Sequence, residues 1–234
     1  GIDLITDTKE RYEVAELYRI AGEKATALTA FSQAASYLRR GIKLLGKNSW
    51  TEKYALTLAL YDSLAEVEAS NADYDRVKML VDDVHKNACN IDDKIRSYFT
   101  LIHSMASEDY VTEAITCGID FLRELGEPFP LSISKSQINK ELMMTQWALR
   151  GKSNCDLLSL QHIVDVRQIA CAKLMSVLFV YSYVQRSPHA PILACRAIRH
   201  TLKHGLFAGS ASTFASYGTL LMSTFDYPNS GKSL

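Results

Sequence analysis

The hydrophobic and polar positions follow a helical period from Arg11 to Leu45. Spacings of i, i+3, i+4 and i+7 place one apolar set on a single helix face: Val14, Leu17, Tyr18 and Ala21. After a turn predicted at residues 22–24 (Gly-Glu-Lys), a second set lines a returning helix: Ala27, Phe31, Ala34, Leu38 and Ile42. Alternation of period two is nowhere sustained over more than a few residues. The pattern therefore predicts an all-α chain that begins with two antiparallel helices.

Two later segments repeat this arrangement of small and large apolar residues. The second unit is predicted over residues 50–70 and 74–87, and the third over residues 93–107 and 111–125. The small residues of the returning helices, Ala27, Val77 and Ala114, are 50 and 37 residues apart, which is looser than the tetratricopeptide period of about 34. Because one hairpin cannot bury its apolar face alone, the predicted fold is an α-solenoid of tetratricopeptide-like antiparallel helical hairpins.

The best internal boundary follows Gly126, because residues 127–132 contain two of the five prolines and cannot continue a helix. We therefore predict three tetratricopeptide-like hairpins over residues 1–126 and a continuing helical array with an irregular insert over residues 127–234. Helices in the second region are predicted from a cap at Ser134 or Ser136 to Gly151, from Asp165 to a point before Pro188, from about Ala190 to His204 with Gly205 as its C-cap, and over 214–221, with a short turn or helix at 156–160. A turn predicted at residues 226–228 indicates that the sequence ends inside a further repeat, as a fragment of a larger protein.

Composition excludes several classes of partner. Lys plus Arg and Asp plus Glu each number 26, so no net field attracts nucleic acid. Five cysteines without a C-x-x-C pair indicate a reducing compartment, and we predict a cytoplasmic protein. The most apolar segment, residues 169–184, is 16 residues long and contains Lys173, whereas a membrane span needs about 20 apolar residues. It is predicted to be a buried helix, without membrane insertion.

Two Gly-Lys-Ser triplets, at residues 151–153 and 231–233, invite comparison with a phosphate-binding loop. Such a loop needs another Gly five positions before its second Gly. Gln146 and Asp226 stand there instead, so the favoured interpretations are a helix stop and a repeat turn. No G-x-S-x-G elbow occurs either. The sequence predicts no catalytic residue and no cofactor.

His200 and His204 are one helical turn apart and could face one metal ion, with Cys195 about one and a half turns away. No Glu follows His200, as a metalloprotease motif requires, and Lys203 adds a repulsive charge. The sequence therefore predicts no metal site.

The same helix carries a row of basic residues, called here the basic stripe: Arg196, Arg199, His200, Lys203 and His204. Apolar residues occupy its other side. The simplest interpretation is a solvated helix face. The alternative is a contact surface for an anionic partner, either a protein or a phosphate.

Several short segments resemble a known family. They are AGEKA at 21–25, AASYLRRG at 34–41, RELGEPFP at 123–130, LRGK at 149–152, LLSL at 157–160 and FASYG at 214–218. Together they resemble the helical repeat region of large multidomain predicted-ATPase (AAA/STAND-type) signalling proteins, in which kinase, GAF and histidine kinase modules often share the chain. The resemblance implies a connector or sensor arm. That family's nucleotide-binding motifs belong to an upstream module, so no catalytic residue is carried over.

The leading functional hypothesis is a non-catalytic helical-repeat scaffold or regulatory arm, whose partner is another protein or a neighbouring domain of the same chain. The second is a regulatory sensor that binds an anionic small molecule or phosphate through the basic stripe. The third hypothesis is that the chain is itself an enzyme, and only isolated polar residues favour it.

Overall fold

The computed structural model describes residues 7–130 and 133–224, and within them it is all-α, as predicted. The helices are α1 Thr8–Ala27, α2 Phe31–Leu44, α3 Ser49–Glu52, α4 Tyr54–Ser70, α5 Tyr74–Asn87, α6 Ile95–Ser107, α7 Val111–Glu124, α8 Lys135–Leu149, α9 Asn154–Leu158, α10 Val166–Val184, α11 His189–His204 and α12 Ser210–Thr224. The only extended pairing in these residues is an isolated bridge between His162 and Leu206. The predicted turn at 226–228 and the triplet at 231–233 lie outside the described residues.

Contacts divide the chain into two compact units, residues 1–114 and 115–234. In the first unit, α1 packs on α2 and α4, α2 packs on α4, and α4 packs on α5 and α6. Alanines at the helix contacts, Ala15 and Ala34, let Leu38, Leu60 and Leu64 interdigitate in the core. Each long helix thus packs against the apolar face of a neighbouring helix, because a single helix cannot bury its own apolar face.

The first turn was predicted in the wrong place. Helix α1 continues through residues 22–24 to Ala27, and the chain turns at residues 28–30 instead. Gly22 is a packing residue: a Cβ atom there would lie 2.6 Å from Leu38 Cγ. The glycine was predicted to be a turn residue, but it lets α1 and α2 approach closely.

Four helices end in one backbone motif that has a residue other than glycine at its left-handed position. The second residue after each helix has a positive φ between 53° and 66°, at Thr29, Ala72, Asp109 and Arg186. The next N–H donates to the carbonyl five residues earlier, at 2.8–3.0 Å, in the pairs Ala30–Ala25, Asp73–Glu68, Tyr110–Met105 and Ser187–Ser182. This is the Schellman arrangement, which satisfies carbonyl groups left free at a helix end. What recurs at these helix ends is therefore a backbone conformation, adopted by four different residue types.

In the second unit, helix starts are fixed by the side chains that the sequence indicated. Ser134 forms a capping box with Gln137 at the start of α8. Asp165 accepts hydrogen bonds from the first backbone N–H groups of α10. Gly205 ends α11 with φ 112°, and a Cβ atom there would collide with the Gln161 carbonyl. These caps set the ends of the helices that build the candidate site.

The core of the second unit lies between α10 and α11, with α8 and α12 packed on α11. Its fully buried side chains include Leu174, Leu178, Ile192, Leu193 and Ile198. Half of the 16 residues of the predicted apolar segment are buried in α10, whereas Val180, Tyr183 and Val184 near its end are exposed. Within the two described stretches, no helix combines the length and apolarity needed to cross a bilayer.

Candidate functional site

All five residues of the basic stripe lie on α11 and line one cleft of about 270 Å³. We call it the α11 cleft; its remaining lining residues are Glu127 and Pro128. Both come from the connection that follows α7, which is distant in sequence. The structure therefore brings the five predicted residues together and adds two that were not predicted.

The two arginines of the stripe are bound to a carboxylate of α8. Arg196 Nη2 lies 2.7 Å from Glu141 Oε1, and an Arg199 guanidinium nitrogen contacts Glu141 Oε2. Arg199 also donates to the Glu141 backbone carbonyl at 3.0 Å and to Thr145 Oγ1 at 2.5 Å. Burial raises the pKa of Glu141, but the hydrogen bonds from Arg196 and Arg199 outweigh it, and the net pKa is lowered. One ionised carboxylate thus neutralises much of the charge of two guanidinium groups.

Arg196 also holds the proline-containing connection against α11. Its Nη1 donates to the Pro128 carbonyl, and its guanidinium lies 4.6 Å from the centroid of the buried Phe129 ring. A guanidinium that stacks on an aromatic ring and also donates hydrogen bonds from its edge is fixed in orientation. This arginine is a structural clamp between α8, α11 and residues 128–129.

His200 is the buried member of the stripe, with 5% of its surface exposed. Its Nε2 lies 2.9 Å from Gln168 Oε1 of α10, and its ring centroid is 4.5 Å from that of His204. Burial, with additional repulsion from His204 and Lys203, lowers the pKa of His200 to about 4. The imidazole is therefore neutral at physiological pH.

Glu127 reaches the cleft because α7 ends in the same way as the four helices described above. Gly126 has φ 97°, and the Glu127 N–H donates to the Leu122 carbonyl at 2.9 Å. The Glu127 carboxylate then lies 4.0 Å from His200 Nε2. The ligand atoms of Glu127, His200 and His204 all lie within 4.8 Å of one another. Glu127 was not among the predicted site residues, because only the fold brings it to α11.

Cys195, which the sequence analysis considered beside the histidines, is not part of this group. It is fully buried, and burial raises the pKa of its thiol to about 11.

The Gly-Lys-Ser triplet at residues 151–153 separates two helices. Gly151 has φ 77° after α8, and Ser153 caps the five-residue helix α9 through a capping box with Asp156. The helix-stop interpretation describes this triplet.

The first unit contains a second cleft, called the α5 cleft, of about 360 Å³. Its lining residues are Arg39, Tyr61, Leu64, Glu68, Arg76, Met79, Leu80 and Asp83. Glu68 is almost completely buried and pairs with Arg39 Nη2 at 2.5 Å and Arg76 Nη1 at 3.6 Å. Met79 is 69% exposed at the same surface. An apolar opening bordered by paired charges is therefore present on α2, α4 and α5.

These features define an all-α protein, with the α5 cleft in its first unit and the α11 cleft in its second. Its sequence is similar to that of Hybrid signal transduction histidine kinase G of Dictyostelium discoideum, with 19% identity over an alignment that covers 94% of this chain and 7% of that protein. The chain thus spans only a small part of the length of the curated relative that it matches. No family profile matches the chain. No solved structure matches it.

Proposed function

We propose that the chain is a non-catalytic helical-repeat arm of a multidomain signalling protein, which binds a protein partner or relays conformation between neighbouring domains. The observation that carries this proposal is the motif shared by four helix ends, because recurrence of one connection is how repeat proteins are built. The packing of each long helix of the first unit on the next ones supports it. The similarity to part of a signal-transduction histidine kinase supports the signalling context. An ATP-dependent parent of the AAA/STAND type fits the sequence resemblance and belongs to this proposal.

The α5 cleft is the surface that we assign to the partner. Exposed Met79 provides an unbranched, adaptable apolar contact. Around it, Arg39 and Arg76 already share the buried Glu68, so their charges are fixed in place. Helical arrays bind extended or helical protein segments at such grooves, where an apolar anchor inserts between oriented polar groups.

The anion-sensor alternative receives less support from the α11 cleft. Its two arginines already pair with Glu141, and Glu127 adds a second carboxylate to the cleft. An incoming anion would have to compete with Glu141 for the guanidinium groups. The sensor stays a prediction, and Lys203 is the residue whose replacement would test it with the least damage to the ion pairs.

The test uses Met79→Glu in the full-length protein, with Leu28→Glu as the matched control. Leu28 is 78% exposed in the connection between α1 and α2 and lies outside the α5 cleft. Proteins that co-purify from the native cell are quantified by mass spectrometry, and signalling output is recorded in parallel. We expect Met79→Glu to lose a partner that the wild type and Leu28→Glu both retain, with altered output. Unchanged co-purification together with normal signalling by a parent that lacks this region would refute the proposal.

A further inference from the structure

We propose that Glu127, His200 and His204 form a binding site for a divalent transition-metal ion of the zinc type. Two imidazoles and one carboxylate are a ligand set that Zn²⁺ uses in proteins, with three protein ligands and an open fourth position. The ligand atoms lie within 4.8 Å of one another, so modest side-chain rotations would bring them to a common ion. The inference is independent of the proposed scaffold function.

The surroundings of His200 support coordination. Its Nε2 is the ring nitrogen that faces the other ligands, because it lies 4.0 Å from the Glu127 carboxylate and 2.9 Å from Gln168 Oε1. Coordination would use the Nε2 lone pair and place the ring proton on Nδ1. An ion at this point would lie among the side chains of Glu127, His204 and His200.

The charges around the site are arranged to reduce repulsion of a cation. Arg196 and Arg199 turn their guanidinium groups to Glu141, which neutralises part of their charge. Glu127, which comes from the connection after α7, contributes a negative ligand to the cleft that Lys203 of α11 also lines. The i and i+4 spacing of His200 and His204 sets both rings on one helix face, which the 4.5 Å separation of their centroids reflects.

A bound ion would connect two parts of the second unit. Glu127 belongs to the connection after α7, whereas both histidines belong to α11. Arg196 already holds the adjacent Pro128 carbonyl, so Glu127 is delivered by a segment that is fixed on α11. Because the cleft of about 270 Å³ is open to solvent, the fourth coordination position would hold water or a group from a partner.

The test titrates the full chain, freed of metal with a chelator, with Co²⁺ and then with Zn²⁺ as competitor. Co²⁺ bound by imidazole and carboxylate gives visible d–d bands, whereas coordination by any of the five cysteines adds a near-ultraviolet thiolate charge-transfer band. We expect one equivalent of Co²⁺ to bind without the thiolate band and to be displaced by Zn²⁺. Glu127→Gln and His204→Gln should each weaken binding by at least about tenfold.

His103→Gln, an exposed histidine of α6, is the control and should bind as the wild type does. Glu127 and His204 are only partly buried, so their variants are expected to fold, and far-ultraviolet circular dichroism checks this. If one variant does not fold, the other carries the comparison. Absence of saturable binding, a thiolate band, or equal affinity in the folded variants and the wild type would overturn the inference.

Discussion

Asp62 offers the sharpest test of the packing in the first unit. It lies on α4 with 5% of its surface exposed, and its Oδ1 accepts no hydrogen bond from the described residues. Burial raises the pKa of Asp62 from 3.8 to about 7; Arg96 lowers it, and Glu66 and Asp93 raise it further. We predict that Asp62→Asn stabilises the protein at pH 8 and has much less effect at pH 4.

The direction of this pH dependence follows from the number of protons that Asp62 binds in the folded and in the unfolded state. Below the unfolded pKa, the carboxyl is protonated in both states and the folded protein keeps its full stability. Between that value and the folded pKa of about 7, only the folded state holds the proton. Each pH unit in this window then lowers the free energy of unfolding by about 1.4 kcal/mol. Over about three pH units, ionisation of Asp62 lowers the free energy of unfolding by about 2 to 4 kcal/mol. An amide at this position does not ionise, so it avoids this loss.

Urea unfolding at pH 4, 5, 6, 7 and 8 measures this difference. The sequence has two tryptophans; Trp147 is 78% exposed, while the Trp50 ring centroid lies 5.1 Å from that of Tyr61 in the first unit. A Trp147→Phe background therefore makes fluorescence report on the unit that contains Asp62. Ser63→Ala, which alters the adjacent buried residue without a titrating group, is the control. A stability difference for Asp62→Asn that is the same at pH 5 and pH 8 would refute the reasoning.

Two further predictions concern glycine and threonine. Gly22→Ala should destabilise the protein by about 1 to 3 kcal/mol, despite the higher helix propensity of alanine, because its Cβ would lie 2.6 Å from Leu38 Cγ. Gly218→Ala on α12, where a Cβ atom would meet nothing within 4 Å, should instead be neutral or stabilising by up to about 1 kcal/mol; equal effects of the two changes in urea unfolding would contradict this. Thr29→Gly should stabilise by about 0.5 to 1 kcal/mol, since φ is 57° at a β-branched residue. Thr26→Gly, inside α1, should destabilise by about 1 kcal/mol, and a fall in melting temperature for both threonine variants would disprove the explanation.

The parts of the fold that the sequence predicted well are those fixed by local side-chain chemistry. Ser134 and Asp165 cap helices at the predicted positions, and Gly205 ends α11. Such signals act over three or four residues, so they can be identified without knowledge of the tertiary structure. The apolar period likewise sufficed to predict an all-α chain.

The errors arose where a residue type serves two purposes. Gly22 occurs within a helix for close packing, yet glycine is also a common turn residue, and the sequence alone does not separate the two uses. Thr29, at the actual turn, carries none of the usual signals of a left-handed residue. Tertiary packing decided between these positions.

The candidate site was predicted only as far as one helix could reveal it. Regular spacing placed the basic stripe on a single face of α11, and the structure keeps its residues together. Glu141 and Glu127 could not be assigned, because α8 and the connection after α7 meet α11 only in the folded chain. With those carboxylates beside it, the basic stripe is a set of partnered groups and not a free cationic surface.

The shared helix-end motif has a consequence for how such a chain can diverge. Thr29, Ala72, Asp109 and Arg186 have no side-chain chemistry in common, yet the backbone makes the same bond after each of them. We expect substitutions at these positions to shift stability by small amounts without altering the path of the chain. Amino-acid identity is therefore a poor guide to which helix ends share this geometry, and related chains could differ widely in sequence at these positions while keeping the same connections between helices.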